Sequence, residues 1–242
     1  MGKLICAGLG PGDPDLMSLR SHRAITAARD VAYFRKAGRA GQARRIVEGL
    51  LRADVREHAM EYPVTTELRF DTPEYNQALA LFYDDWAARI EAHLKSADMV
   101  VLCEGDPFFY GSFMHLYSRL AGKVELEVIP GITGMTGCWT ATGQPITWGD
   151  DVLSVLMGTL PQEVMQARMA EADALVVMKT GRNLPKIRSA LAAVGKLDAA
   201  YLVEAGTMPN QRIRRLAEVE GECPYFAIVL VHGHGRRPEI PE

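Results

Sequence analysis

Short, continuous apolar runs alternate with segments whose apolar residues recur every three or four positions, and the alternation starts at the first residues. Leu4 to Ala7 reads as a buried strand, closed by the cluster Gly8-Leu9-Gly10-Pro11-Gly12. Asp13-Pro14-Asp15 then predicts a helix start, with Leu16, Leu19, Arg23 and Ile25 following at helical spacing. Asp30 to Phe34 is a second strand, and a helix carrying Ile46, Val47, Leu50 and Leu51 follows a basic stretch. The clearest helix runs from Glu74 to Leu94, where Leu79, Phe82, Trp86, Ile90 and Leu94 share a face. Met99 to Cys103 and Val124 to Ile129 are strands on either side of a helix from about Gly111 to Leu120.

The second half continues the pattern. Val152 to Met157, Ala174 to Met178, Ala200 to Val203 and Phe226 to Val231 read as strands, and helices are expected over Gln162–Ala170 and Leu184–Ala193. From Arg212 onward no long helical pattern remains, which suggests antiparallel strands before a frayed tail, Gly233 to Pro238. Strand–helix–strand order of this kind predicts parallel α/β sheets with crossover connections. The expected fold class is therefore α/β in two domains, a parallel N-terminal sheet over 1–133 and a mixed C-terminal sheet over 134–242.

Composition narrows the class. The 242 residues are 48% hydrophobic and 24% charged, the profile of an ordinary globular chain. The net charge of −3 argues against a nucleic-acid binder driven by global charge. The longest apolar runs, such as Phe226 to Val231, fall far short of the ~20 residues a bilayer requires. Leu4 to Leu9 leads into glycine and acid, so it reads as a strand rather than a signal peptide. Four scattered cysteines, Cys6, Cys103, Cys138 and Cys223, suit a reduced, cytoplasmic setting. No metal site is expected: His22, His58, His93 and His115 show no ligand spacing, and His232 with His234 has too few partners.

Three loops share one design, an apolar strand ending in glycine and proline: Gly8–Pro14, Glu104–Tyr110 and Pro130–Gly134. Ligands of open α/β sheets bind beyond the carboxyl ends of strands, and glycine lets the main chain approach them closely. The first loop is not a dinucleotide fingerprint, because the third glycine of G-x-G-x-x-G falls on Asp13 and Pro11 lacks an amide donor. A carboxylate there repels a pyrophosphate, so the loops favour a neutral or cationic ligand such as a sulfonium nucleoside. Asp106 and Asp13 are placed to offset its charge, and Asp13 and Glu204 are candidate proton acceptors or helix caps.

Gly8-Leu9-Gly10-Pro11-Gly12-Asp13-Pro14, Glu104-Gly105-Asp106-Pro107-Phe108-Phe109-Tyr110-Gly111-Ser112, Ile129-Pro130-Gly131-Ile132-Thr133 and the segment Val203 to Arg212 together resemble the tetrapyrrole methyltransferases, the class III S-adenosylmethionine (SAM) enzymes of corrin and siroheme synthesis. The motifs span residues 8 to 212 in family order. Within that family, the Tyr33–Arg39 stretch and the second loop are similar to the members that methylate a bridge carbon of an early reduced tetrapyrrole. The resemblance implies two α/β domains with SAM in the cleft between them, and a homodimer. It places Pro11, Glu104, Gly105, Asp106, Phe109, Tyr110, Thr133 and Gly134 at the cofactor, with Met178, Gly206 and Tyr225 as adenosine-binding positions. Ala205 and Gly134 depart from the common family residues. A tetrapyrrole rich in carboxylates calls for a basic rim, for which Arg35, Lys36, Lys179 and Arg182 are the candidates, Arg35 and Lys36 within a cationic stretch that continues through Arg39, Arg44 and Arg45.

Overall fold

A computed structural model of the chain describes residues 2–64 and 72–238. Its first element, β1 (Lys3–Gly8), lies between two strands that the sequence places far away, β4 (Met99–Cys103) and β5 (Glu125–Ile129). With β2 (Asp30–Lys36) and β3 (Arg56–Tyr62) they make a five-stranded parallel sheet in the order β3-β2-β4-β1-β5. β4 is buried along its whole length, as expected of a parallel strand covered on both faces. Alternate residues feed two cores. Leu4, Cys6, Met99 and Val101 pack with Phe82, Ile90, Phe113 and Leu116 of α3 (Pro73–His93) and α4 (Phe113–Leu120). Ala7, Val31, Val100 and Leu102 pack with Ile25 and Ile46 of α1 (Leu19–Ala27) and α2 (Gln42–Ile46).

Two local differences from the sequence reading have plain causes. Asp13 does cap a helical turn, accepting from the Asp15 amide at 2.9 Å, but the turn is a 3-10 piece over Pro14–Leu16. The chain then extends at Met17, and α1 starts afresh with Ser18 as its cap. The unpredicted strand β3 carries charges at alternate positions, because Glu57 and Glu61 receive Arg44 and Arg35. An edge strand with its polar face paired in this way loses the apolar signature.

The chain divides into two compact units, Met1–Thr133 and Gly134–Glu242. The second is built on a mixed sheet ordered β6-β7-β10-β8-β9. Its strands are β6 (Leu153–Met157), β7 (Ala174–Met178), β8 (Ala200–Glu204), β9 (Arg212–Arg215) and β10 (Ala227–Val231). β6 and β7 are parallel, while β10 runs antiparallel to β7 and β8, and β9 antiparallel to β8. α6 (Gln162–Glu171) and α7 (Leu184–Ala193) cover one face with Met165, Ile187 and Leu191. The other face receives α5 (Gly134–Ala141), whose Cys138, Met135 and Trp139 pack on Val176, Val203 and Ile228. The sequence reading missed α5: two glycines in eight residues and no apolar stripe hide it, so tertiary packing decides.

The expected frayed tail is tied down instead. The Gly233 amide donates to the Ile146 carbonyl, the Gly235 amide to Asp151 Oδ2, and Arg237 lies over the Trp148 ring. Residues 239–242 lie outside the described residues. Among the described residues no helix is long and apolar enough to cross a membrane.

Candidate active site

Because β4, β1 and β5 are neighbours and parallel, the loops that follow them emerge side by side at one edge of the first sheet. Main chain holds them together. The Leu9 amide donates to the Cys103 carbonyl at 2.9 Å, and the Gly105 amide to the Gly10 carbonyl at 2.8 Å. Asp106 ties in the third loop, with Oδ2 accepting from the Gly131 amide at 3.0 Å and Oδ1 from the Phe108 amide at 2.9 Å. The approach is closer than side chains allow. A Cβ on Gly131 would be driven into the Gly105 carbonyl oxygen and lie 3.0 Å from Gly8. Gly131 and Gly8 are therefore required for the loops to touch, not merely to turn.

Around this edge Pro11 is buried, Phe109 half-buried and Tyr110 exposed, the two rings meeting edge-on at 4.9 Å. Tyr110 is held at φ +54°, a conformation a bulky residue seldom adopts. Glu104 is exposed. Thr133 is half-buried and closes the first unit. Asp106 spends both carboxylate oxygens on the loops, so it organises the edge in addition to supplying negative charge.

In the second unit the antiparallel register brings Met178, Gly206 and Tyr225 to one edge of the mixed sheet. Met178 ends β7, Gly206 follows β8, and Tyr225 precedes β10, which runs opposite to both. Thr180 Oγ1 donates to the Ala227 carbonyl at 2.8 Å and the Ala205 amide to the Phe226 carbonyl at 2.7 Å. Lys179, Ala205 and Thr207 all have positive φ here. With Tyr110 they are the four non-glycine residues of that kind among the described residues, and all four lie on these two edges. Gly134 opens α5. Gly206 is buried against α5: a Cβ would lie 2.6 Å from Cys138 Sγ.

The candidate basic rim is partly spent. Arg35 Nε donates to Glu61 at 2.9 Å, and Arg44 grips Glu57 through two bonds of 2.7 and 2.9 Å. Arg35 and the Arg44–Glu57 pair line a recess of about 250 Å³ with Tyr33, Ala40, Arg45 and Glu48, so its three guanidinium groups are largely offset by two carboxylates. Lys36, Lys179 and Arg182 are exposed. The two candidate proton acceptors are engaged as well: Asp13 caps its turn, and buried Glu204 accepts from Arg214 Nη2 at 2.7 Å. His232 is a satisfied core residue, with Nδ1 at 3.0 Å from the Pro145 carbonyl and Nε2 at 3.1 Å from Thr142 Oγ1. The sequence reading also missed that His58 and His93 converge on Asp30, since residues so far apart in the chain carry no local spacing signal.

The edge suits a cationic nucleoside donor better than a polyphosphate. It offers closely approaching main chain, carboxylates, and at Pro11 no amide for a phosphate. Residues 3–220 match the family described as Tetrapyrrole (Corrin/Porphyrin) Methylases, and the chain belongs to that family. Among its relatives is the Precorrin-2 C(20)-methyltransferase of a Sinorhizobium species, 51% identical over 240 residues that make up 98% of each chain. The Cobalt-precorrin-2 C(20)-methyltransferase of Salmonella typhimurium is 28% identical over 96% of each. The crystal structure of uroporphyrin-III C-methyltransferase from Thermus thermophilus complexed with S-adenosyl homocysteine shares the fold, with a TM-score of 0.67 at 21% identity, covering 95% of this chain and 97% of that one.

Proposed function

We propose that the chain is a SAM-dependent C-methyltransferase that converts precorrin-2 to precorrin-3A by methylating C-20 in cobalamin biosynthesis. The observation that carries this reading is the close main-chain contact of three loops at the edge of the first sheet, where Gly131 and Gly8 leave no room for a side chain against each other or against the Gly105 carbonyl. The 51% identity to the Sinorhizobium enzyme supports the choice of carbon and substrate. Pro11, Glu104, Gly105, Asp106, Phe109, Tyr110 and Thr133 on the first unit, and Gly134, Met178, Gly206 and Tyr225 on the second, are the residues we assign to the cofactor.

SAM supplies a methyl group already activated by its positive sulfur, which an electron-rich bridge carbon can take without a protein nucleophile. The chain's own work is to bind, orient and move one proton. Orientation alone supplies several kcal/mol, on the order of 7 or more when the reacting atoms are well aligned. The strained but fixed loop conformations at Tyr110 and Lys179 suit that task, because preorganised backbone does not have to rearrange. For the proton we assign the Glu104 carboxyl. Asp13, Asp106 and Glu204 are committed to caps, amides and Arg214, whereas the Glu104 carboxylate is exposed at the same edge and makes no ion pair among those of the described residues. Lys36, Lys179 and Arg182 are assigned to the substrate carboxylates, with Arg35 contributing only if Glu61 yields it.

The greater identity to the precorrin-2 enzyme than to the cobalt-precorrin-2 enzyme favours metal-free substrate. A single turnover with SAM and precorrin-2, read by mass spectrometry as the gain of one CH₂ and by NMR at C-20, tests the reading. Turnover of cobalt-loaded substrate alone, or methylation at another carbon, refutes it. A homodimer and a cytoplasmic location are part of the same proposal. Light scattering that gives a monomer at micromolar concentration counts against the first.

A further inference from the structure

At the amino-terminal end of β2, away from the glycine loops, three side chains from separate elements converge on one point. Asp30 opens β2, His58 lies on β3, and His93 is the last residue of α3. The Asp30 side chain is fully buried. His58 Nε2 lies 2.9 Å from Asp30 Oδ1, and His93 Nε2 lies 3.7 Å from Asp30 Oδ2 and 3.3 Å from the Asp98 carbonyl. The three donor atoms all fall within 4.8 Å of one another. The two imidazoles meet edge-on with centroids 5.4 Å apart, so both Nε2 atoms point at the same carboxylate rather than past it.

The chemistry of that point is one-sided. The carboxylate and the Asp98 carbonyl offer only lone pairs, so whatever fills the space between them and the rings must be protons or a cation. The Arg56 guanidinium takes the role here, with Nε 2.9 Å from Oδ1 and Nη2 2.6 Å from Oδ2. Arg56 is anchored at its tip by these two bonds. Its side chain is 66% exposed on the outer strand of the sheet, so its tip can swing into water. A neutral histidine presents Nε2 as a ligand by moving its proton to Nδ1, which changes no net charge. Two imidazoles and one carboxylate, with a fourth position left to water, is a donor set that borderline divalent ions accept.

We propose that Asp30, His58 and His93 form a site for a borderline divalent metal ion of the Zn²⁺ type, with Arg56 acting as a displaceable stand-in for the cation. The ion fastens β2, β3 and the end of α3 together, at the opposite end of the strands from the methyl-transfer edge. It is a structural site, with no role in the transfer chemistry. Ligand atoms of a tetrahedral zinc lie about 3.3 Å apart, given bonds of ~2.0 Å. The present spacing therefore needs ring movements of roughly an ångström.

The test uses the full chain stripped with chelator and titrated with Zn²⁺ or Co²⁺. One ion per chain is expected, with a chelator-reversible rise in melting temperature. His58→Gln and His93→Gln each weaken binding by roughly tenfold or more, while Arg56→Ala strengthens it severalfold. In the unaltered chain, Co²⁺ should broaden the imidazole NMR signals of His58 and His93 before those of His22 and His234, a readout that does not depend on any variant folding. The proposal is overturned if no stoichiometric binding appears up to millimolar metal. It is equally overturned if binding survives both glutamine variants, if Arg56→Ala leaves affinity unchanged, or if other histidines broaden first.

Discussion

Gly206 invites two explanations, close approach of the cofactor or close approach of α5, and a double-mutant cycle with Cys138 separates them. A Cβ at Gly206 would sit 2.6 Å from Cys138 Sγ, 3.3 Å from its Cα and 3.4 Å from its amide nitrogen. Carbon and sulfur need about an ångström more than the first distance, whereas the other two call for only a slight adjustment. Both residues are buried, so Gly206→Ala must shift α5 or the end of β8, an overpacking cost of ~1–3 kcal/mol. The thiol carries no charge to complicate the cycle, because burial pushes its pKa up to about 12. Cys138→Ala deletes the clashing atom at a cost of about 1 kcal/mol for the small cavity. In the double variant the new methyl group occupies the space that the sulfur left. The sum of the two single losses should therefore exceed the measured double loss by about 1–2 kcal/mol. Urea unfolding followed by circular dichroism, with an unchanged slope, is the assay. Calorimetry with S-adenosylhomocysteine on the stabilised double variant then reads the cofactor role alone. Additivity within ~0.5 kcal/mol would refute the claim that the thiol is what excludes a side chain from position 206.

Other perturbations act on single groups. Asp106→Asn keeps one acceptor but turns an NH₂ toward the Gly131 or Phe108 amide, so ~1–3 kcal/mol of stability and much of the cofactor affinity should be lost. Unchanged affinity would mean that the loops do not depend on this carboxylate. Glu104→Gln preserves the main chain and removes a proton acceptor. Turnover should fall on the order of 10²-fold while S-adenosylhomocysteine binding holds, and equal losses in both would assign Glu104 to binding instead. Burial holds His232 below its ordinary pKa of 6.5, so the unfolded chain takes up a proton first as the medium acidifies. Its contribution to stability is complete above pH 6.5 and is lost as the pH falls from there to the depressed folded value. His232→Gln should flatten the stability–pH curve in that window, and an unaltered slope would rule His232 out as its source.

The fold was legible where burial is two-sided and illegible where polarity or packing decides. β4 and β10 announce themselves as unbroken apolar runs because core covers them along their whole length, and β1 and β7 do so over residues 4–7 and 174–177, where burial is nearly complete. β3 is invisible in Arg-Glu-His-Ala-Met-Glu-Tyr until Arg35 and Arg44 are seen to meet its glutamates, interactions across 26 and 13 residues. α5 is invisible because Gly137 and Cys138 earn their helical place only from the sheet they cover. The glycine loops are the converse case. Their spacing is local, and the reason for it, the contact of Gly131 with Gly105 and Gly8, is tertiary.

The same contrast explains which parts of the proposed chemistry a sequence can carry. A transfer that needs geometry more than reactive side chains leaves its mark in residues that permit close backbone approach, and those residues cluster in short recognisable strings. Substrate recognition leaves a weaker mark. Arginines are frequent everywhere, and Arg35 and Arg44, two members of the densest cationic stretch in the sequence, turn out to face Glu61 and Glu57. Their pKa values are raised by those partners, so each is held more firmly in its charged, paired state. A tetrapyrrole carboxylate must then compete with an internal one for either guanidinium. Exposed Lys179, which follows β7 in a strained conformation beside Met178, faces no such competitor among the described ion pairs and is the stronger choice for that contact.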